Sequence, residues 1–518
     1  MMLADVCAEV LAHIVDPAQA KLGILPGLSS EALERAWPSD KRWRQLEVWM
    51  RHVLLSNSSQ THHIVTIGGS VTAGQFSCGG SRNYTPPFEI NGSMYKAWSK
   101  CRWPARLQAW LQETFPRNGR FEVTNLAEAG WSTLSWAVDV NVPSHKTSML
   151  HTADLVLTEL VINSEPSEVA EKRSVAAVWS SLLAMPSQPA VMALELPNVG
   201  ITPFDDLDRD LLKRSCYETE SDHVRLHANS SPISTHSADY ALCRRYWAPA
   251  TWHSSILTAL DIPSISLHQA LWPTADKPSP EIASFWVDAY DPHPGWRTHT
   301  RLAHTVAHAL IGAARKVCTV GDVPLGRTAT VRLTRETLPP NDTLGLIAQQ
   351  CKSPLTRLDG HFLPATNPRG WAFGEDVPGN RKPGWHANAT GRFRGSHYVI
   401  EFDVVVGSRR LLILSRLSSY DMSMGKVRID MWRNGSAAVH GSKRRWFTVG
   451  EVDGYWPVHS SMVRPAFVVL PTNFTLGAYR VRIQLVGSPL ERLKTPPDRS
   501  TLWVRAASRF KLLSLISC

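Results

Sequence analysis

Ser70 lies in Gly68-Gly69-Ser70-Val71-Thr72-Ala73-Gly74, directly after the β-branched, apolar run Ile64-Val65-Thr66-Ile67. Such a run bounded by glycine has the form of a buried central strand. The glycines let the chain turn sharply at that strand's carboxyl end. A serine there can act as a nucleophile, and the amides of the turn can bind an oxyanion. Taken alone, the string equally suits a strand-to-helix connection whose serine caps a helix. Three later stretches break the tie. Asn125-Leu126-Ala127-Glu128-Ala129-Gly130-Trp131-Ser132 leads a strand end into a glycine turn. Asp154 to Ile162 reads as a strand delivering Asn163, with Glu159 inside it. Asp288-Ala289-Tyr290-Asp291-Pro292-His293-Pro294-Gly295 precedes the last helix of the first half. In a doubly wound sheet the carboxyl ends of neighbouring strands converge on one edge. Ser70 is then a nucleophile, His293 its general base and a nearby aspartate the orienting partner. The amides of Ser70 and Gly130, with the Asn163 side chain, form an oxyanion hole.

Each residue also has an ordinary structural role to set against this one. A histidine in a Pro-His-Pro turn commonly sits on the surface, Asn163 could cap a strand end, and Glu159 could anchor a neighbouring loop. His304 and His308, four apart on a helix, imitate a metal pair. They have no glutamate between them and no evident third ligand, so no metal site is expected. The order and spacing of the four stretches together favour catalysis.

The elements that must position these residues alternate in type. A helix is expected over Ser39–Leu55, then the Ile64 strand. Next come a helix over Trp103–Phe115, a strand over Phe121–Leu126, the Asp154–Ile162 strand and a helix over Val169–Met185. A strand over Ala190–Leu196, a helix over Arg244–Leu260, a short strand over Ser264–Leu267 and a helix over His299–Val317 complete the series. This is the pattern of a parallel sheet covered on both faces. Beyond it the texture changes. Thr319–Pro383 reads as a linker with irregular strands. Period-two alternation then marks strands at Tyr398–Val404, Arg410–Leu414, Lys426–Met431, Ala466–Leu470, Tyr479–Leu485 and Leu502–Ala506. The expected organisation is a helical extension over 1–60, an α/β/α domain over 61–317, a linker over 318–383 and an antiparallel β-sandwich over 384–518.

The chain has 518 residues, a formal charge of +10 and 43% hydrophobic residues, which suits two folded domains. The charge is compatible with an acidic partner. The basic residues are scattered, and no zinc-finger spacing or RNA-binding signature points to nucleic acid. No apolar run is long enough for a membrane span. Eight cysteines without a CxxC pair argue against structural zinc, and the spacing of Cys78 with Cys101 and of Cys216 with Cys243 suits local disulfides. Eight Asn-x-Ser/Thr sequons likewise suit the secretory pathway or the extracellular space, although Met1 to Leu25 carries no signal-peptide pattern.

The four stretches resemble the blocks of the SGNH (GDSL-type) hydrolase superfamily, with Ser70, Gly130, Asn163 and His293 on its four namesake positions. The Gly-Gly-Ser-Val-Thr-Ala-Gly form, Glu159 four residues before Asn163 and the trailing β-rich domain are similar to an algal and protist group within it. The resemblance covers roughly Thr61 to Val317. It implies a flavodoxin-like three-layer fold of about five parallel strands and ester hydrolysis with no metal or cofactor. Gly69 replaces a usual aspartate that takes no part in catalysis, and Ser164 follows Asn163 where many relatives carry aspartate. The acid departs from the pattern. Tyr290 stands three residues before His293, Asp291 two before and Asp288 five before. Asp291 is the favoured acid, with Asp288 or a backbone carbonyl as alternatives. The expectation is a serine esterase acting on an ester-bearing small molecule or a polysaccharide, carbohydrate O-acetyl groups being favoured. An acyltransferase with the same machinery, or a non-catalytic glycan-binding protein, is the alternative.

Overall fold

The computed structural model of the chain describes residues 3–13, 28–37, 43–74, 101–142, 144–164, 168–196, 248–271, 295–320, 365–374, 384–389, 397–419, 423–433, 446–455, 462–486 and 508–518. The chain forms two compact units, Met1–Ala129 with Met149–Asn341, and Gly130–Ser148 with Asp342–Cys518.

The first unit is built on five parallel strands: β1 (Thr61–Gly68), β2 (Arg120–Asn125), β3 (Leu155–Glu159), β4 (Ala190–Glu195) and β5 (Ser264–Ser266). Their order is β2-β1-β3-β4-β5, and every pairing is parallel. Every residue of β3 and β4 is buried, which the near-continuous apolar runs of a sheet covered on both faces require. Helices α1 (Leu3–His13), α2 (Ser30–Ala36), α3 (Arg44–Leu55), α5 (Trp103–Thr114) and α11 (Trp296–Val320) share one core with the sheet. Trp49, Met50, Trp110, Leu310 and Val317 are among its buried side chains. A disulfide between Cys7 and Cys318 ties α1 to α11. Helices α8 (Glu168–Leu183) and α9 (Ala248–Ala259) pack on each other.

One expected strand is shorter than its sequence suggests. The apolar run over Asp154–Ile162 leaves the sheet at Glu159, and Val161–Asn163 form a 3-10 turn. Glu159 is the register partner of Gly68, the last residue of β1, so beyond it the run has no β1 backbone to pair with.

The second unit contains two five-stranded sheets. One has the order β13-β10-β15-β8-β7, from β7 (Trp371–Gly374), β8 (Gly384–Ala389), β10 (Leu411–Ser418), β13 (Met462–Val469) and β15 (Ser508–Ser517). The other has the order β12-β11-β14-β9-β6, from β6 (Thr366–Arg369), β9 (Val399–Val406), β11 (Lys426–Arg433), β12 (Phe447–Asp453) and β14 (Gly477–Leu485). All pairings are antiparallel. Leu412, Leu414, Phe510 and Leu512 of the first share a core with Phe402, Ile429, Val481 and Ile483 of the second, the arrangement of a sandwich. The segment opening at Gly130 belongs to this unit. Its helix α6 (Thr133–Asp139) lies against β13, and Val138 and Val142 pack with Leu411, Ile413 and Ile516.

Strand β13 begins four residues before the expected Ala466, because Pro465 at a sheet edge interrupts no ladder. Strands β6 and β7 fall in the stretch read as linker, β8 and β12 carry no clean alternation, and Leu502–Ala506 lies outside the described residues. Cys101 and Cys518 are also disulfide-bonded, while Cys78, Cys216, Cys243 and Cys351 lie outside the described residues. Among the described residues no helix is long and apolar enough to cross a membrane, and no cluster of His, Cys, Asp or Glu side chains is arranged to hold a metal ion.

Candidate active site

The strand order moves outward from β1 to β2 on one side and to β3, β4 and β5 on the other. The direction of winding therefore reverses between β1 and β3, and the crevice beyond their carboxyl ends is where open α/β sheets bind ligands. Strand β1 ends at Gly68 and delivers Ser70; β3 ends at Glu159 and delivers Asn163. Both residues thus leave the sheet at its switch point.

Ser70 opens the short helix α4 (Ser70–Ala73) and is 7% exposed. Its hydroxyl does not cap that helix. The cap position is Gly69, which makes no side-chain cap bond, and the helix stops at Gly74 in a left-handed conformation, φ 79°. The capping role that the sequence alone left open for Ser70 is therefore not the one it has.

The turn carrying Ser70 is clamped from three sides. Asn125, at the end of β2, donates from Nδ2 to the Thr72 carbonyl at 2.7 Å. Its Oδ1 accepts from the Thr66 hydroxyl at 3.0 Å and the Ala127 amide at 3.1 Å. The Glu128 amide donates to the Gly68 carbonyl at 3.2 Å. Beneath the turn, Trp103 Nε1 donates to Thr72 Oγ1 at 3.3 Å, and Thr72 Oγ1 donates to Glu159 Oε2 at 3.2 Å. Gly68 is required by this closeness. A Cβ there would lie 2.6 Å from the Glu159 carbonyl oxygen and 2.8 Å from Thr72 Oγ1.

Glu159 is fully buried, and the loss of water raises its pKa from 4.5 to about 8. The Thr72 hydroxyl and the amides of Ile162, Gly69 and Thr72 pull the other way without offsetting that loss. At neutral pH the group is therefore mainly a neutral acid, wedged between the turn that carries Ser70 and the turn that carries Asn163.

The Asn163 turn has its own support. Ser164 Oγ donates to the Val161 carbonyl at 2.7 Å and lies 3.4 Å from His253 Nε2. That same nitrogen is 2.6 Å from Glu171 Oε1, both side chains being buried. A Ser-His-Glu relay needs the two ring nitrogens to face different partners. Here one nitrogen makes both contacts, so this trio ties α8 and α9 to the turn and is not a second catalytic triad.

Gly130 adopts φ 77°, a left-handed conformation that favours glycine. Ser132 caps α6, accepting from the Ser135 amide. The fourth stretch, with Asp288, Tyr290, Asp291 and His293, lies outside the described residues.

No protein-family model matches the chain, and a search of curated proteins finds no sequence match. Solved structures do match in fold. A crystal structure of a two-domain esterase (CEX) active on acetylated mannans aligns at TM-score 0.50 and 14% identity, over 94% of this chain and 98% of that one. The chain shares the fold of that structure. The structure of such an esterase co-crystallised with mannopentaose aligns at TM-score 0.47 and 14% identity, over 92% of this chain and 94% of that one.

Sequence reasoning placed Ser70 and Asn163 at strand ends but missed the side chains that hold those turns. Asn125 stood in the second stretch, and a polar residue closing a strand before a glycine turn was the signal available. Trp103 and Thr72 carried none, since their contact depends on where α5 packs.

Proposed function

We propose that the chain is a serine esterase that hydrolyses ester-linked acyl groups, O-acetyl groups on a carbohydrate being its substrate class. The observation that carries this reading is the placement of Ser70 and Asn163 on adjacent strand ends flanking the switch point, with the Ser70 hydroxyl excluded from helix capping. The substrate class draws on the shared fold of the esterase described as active on acetylated mannans, and acetylated mannan is the first polymer to test.

In this reading Ser70 Oγ attacks the acetyl carbonyl as His293 removes its proton. The amides of Ser70 and Gly130 and the side-chain amide of Asn163 hold the oxyanion. Collapse breaks the bond to the sugar oxygen, which takes the proton from His293. Water, deprotonated by the same histidine, then releases acetate and restores Ser70. Asp291 orients the imidazole. The buried Glu159 stays off this path and supports both turns from below. No step calls for a metal or a redox cofactor.

The test is acetate release from acetylated mannan and from p-nitrophenyl acetate by wild type and Ser70→Ala, with a serine-reactive phosphonate as covalent probe. Expected are loss of turnover by at least about a thousandfold and labelling of the wild type alone. Equal rates from well-folded wild type and Ser70→Ala would refute the assignment. His293→Ala and Asn163→Ala separate the base from the oxyanion donor. Removing one such donor costs roughly 10²–10³ in kcat.

A further inference from the structure

Asn163 is the last residue of the 3-10 turn Val161–Asn163, and Ser164 closes that turn twice. The Ser164 amide donates to the Val161 carbonyl at 3.3 Å, and Ser164 Oγ donates to the same carbonyl at 2.7 Å. The hydroxyl has then spent its one proton, and its lone pairs are left to accept. His253 Nε2 lies 3.4 Å from that oxygen and 2.6 Å from Glu171 Oε1. One N–H on Nε2 therefore serves both acceptors, Glu171 taking the larger share. Glu171 and His253 are both buried.

The imidazole is itself held from two sides. Ser254, the next residue of α9, donates from Oγ to the Glu195 carboxylate, 2.9 Å from Oε1 and 3.1 Å from Oε2. Glu195 is buried and is the last residue of β4. Successive side chains on a helix point about 100° apart, so α9 lies in the angle between two anchors. Ser254 reaches the sheet, and His253 reaches the turn. Glu171 seats the ring from α8, which packs on α9. A continuous path thus runs from the end of β4 through Ser254, His253 and Ser164 to Asn163. On its other side the turn meets Glu159, which the Ile162 amide faces. Exchanging two buried polar partners for apolar groups of like shape costs a fold little. Stability alone does not call for this pair; a directional bond to Ser164 does.

We propose that His253 is a positioning residue of the oxyanion hole: seated by Glu171, it holds Ser164 and with it the turn that aims the Asn163 amide. The inference rests on the reading of Asn163 as an oxyanion donor. Every residue in the path belongs to the first unit.

The test uses the full chain and cuts the path at two points. Glu171→Met with His253→Phe puts apolar side chains of similar size in place of the pair, so no polar partner is stranded. Ser164→Ala cuts at the other end, on a half-buried residue, and leaves His253 with Glu171. In both, hydrogen exchange over residues 160–164 is expected to quicken, whatever the enzyme's substrate. On p-nitrophenyl acetate, kcat should fall about tenfold with KM within about twofold, the mark of one misplaced oxyanion donor. Affinity for a boronic acid that mimics the oxyanion should fall in step. Combining all three changes should add little, because each breaks the same path. Ser164→Thr, which keeps the hydroxyl, should retain most of the wild-type kcat. Lys172→Ala, beside Glu171 but in a partly exposed pair with Glu168, is the control and should leave kcat unchanged. Unchanged kcat and boronate affinity in folded Ser164→Ala would overturn the proposal, and so would losses that multiply when the changes are combined. Should the double variant fail to fold, Ser164→Ala and Ser164→Thr decide by themselves. Failure of the underlying reading shows differently, as turnover retained by Ser70→Ala or kcat retained by Asn163→Ala.

Discussion

Glu159 makes the stability of the first unit depend on pH in a way that one substitution exposes. The carboxyl is buried completely, with a pKa of about 8 in the folded chain against 4.5 for the ordinary group. The folded protein therefore binds this proton more tightly than the unfolded chain does. The stabilisation is full below pH 4.5, declines as the pH rises above it, and is lost through pH 8. One bound proton corresponds to a slope of roughly 1.4 kcal/mol per pH unit, so the whole window is worth about 5 kcal/mol. No charged side chain takes part in the shift, so mutual titration does not blur it. Glu159→Gln keeps the shape and a neutral head group but cannot ionise. The assay is urea unfolding of both proteins at intervals from pH 5 to pH 9. Other titrating groups contribute equally to the two and cancel in the difference. Wild type should lose about 4 kcal/mol relative to Glu159→Gln between pH 5 and pH 8, and the difference should level off above pH 8.5. A constant offset tells only how well glutamine packs. Parallel curves across the range would refute the argument that burial holds the carboxyl neutral.

Two further substitutions probe the turns. Gly68→Ala places a methyl 2.6 Å from a backbone carbonyl of β3 that cannot move without the sheet. It should cost about 3 kcal/mol in chemical denaturation and lower kcat by displacing Ser70; unchanged stability would contradict the packing argument. Glu171→Ala leaves the buried His253 Nε2 without its 2.6 Å partner beside the Asn163 turn, with an expected loss of about 1–3 kcal/mol. Glu171→Gln, which still accepts from the imidazole, should lose clearly less, and equal losses would show that the pairing matters less than the packing.

What the sequence made legible depends on how local each signal was. The sheet of the first unit could be read because its strands are short apolar runs between helices. The Ser70 turn could be read because glycine marks where a chain bends or approaches another backbone, and Gly68 does the second against Glu159. The end of β3 was not legible. Val161 and Ile162 are as apolar as the strand before them, and only the end of β1 at Gly68 stops the ladder at Glu159. Strands β8 and β12 escaped because Gly-Trp-His-Ala-Asn-Ala and Phe-Thr-Val-Gly-Glu-Val-Asp present no clean alternation; β8 is held between β15 and β7, and β12 is held at the sheet edge by β11.

The allegiance of Gly130 is the deepest of these losses, and its cause is sequence distance. By position in the chain Gly130 falls between β2 and β3, two strands of the parallel sheet, so a reader assigns the glycine there. What holds it is Val463, more than three hundred residues away. The one trace in the sequence is Pro465. A proline inside a run that otherwise alternates demotes the run to an edge, and an edge needs something to cover it. Followed through, that trace asks which segment supplies the acceptor for Val463 and the donors for its carbonyl. Ser132 and Ser135, three apart at the start of a helix, are residues able to give such donors. The question was open to the sequence, but only the three-dimensional arrangement answers it.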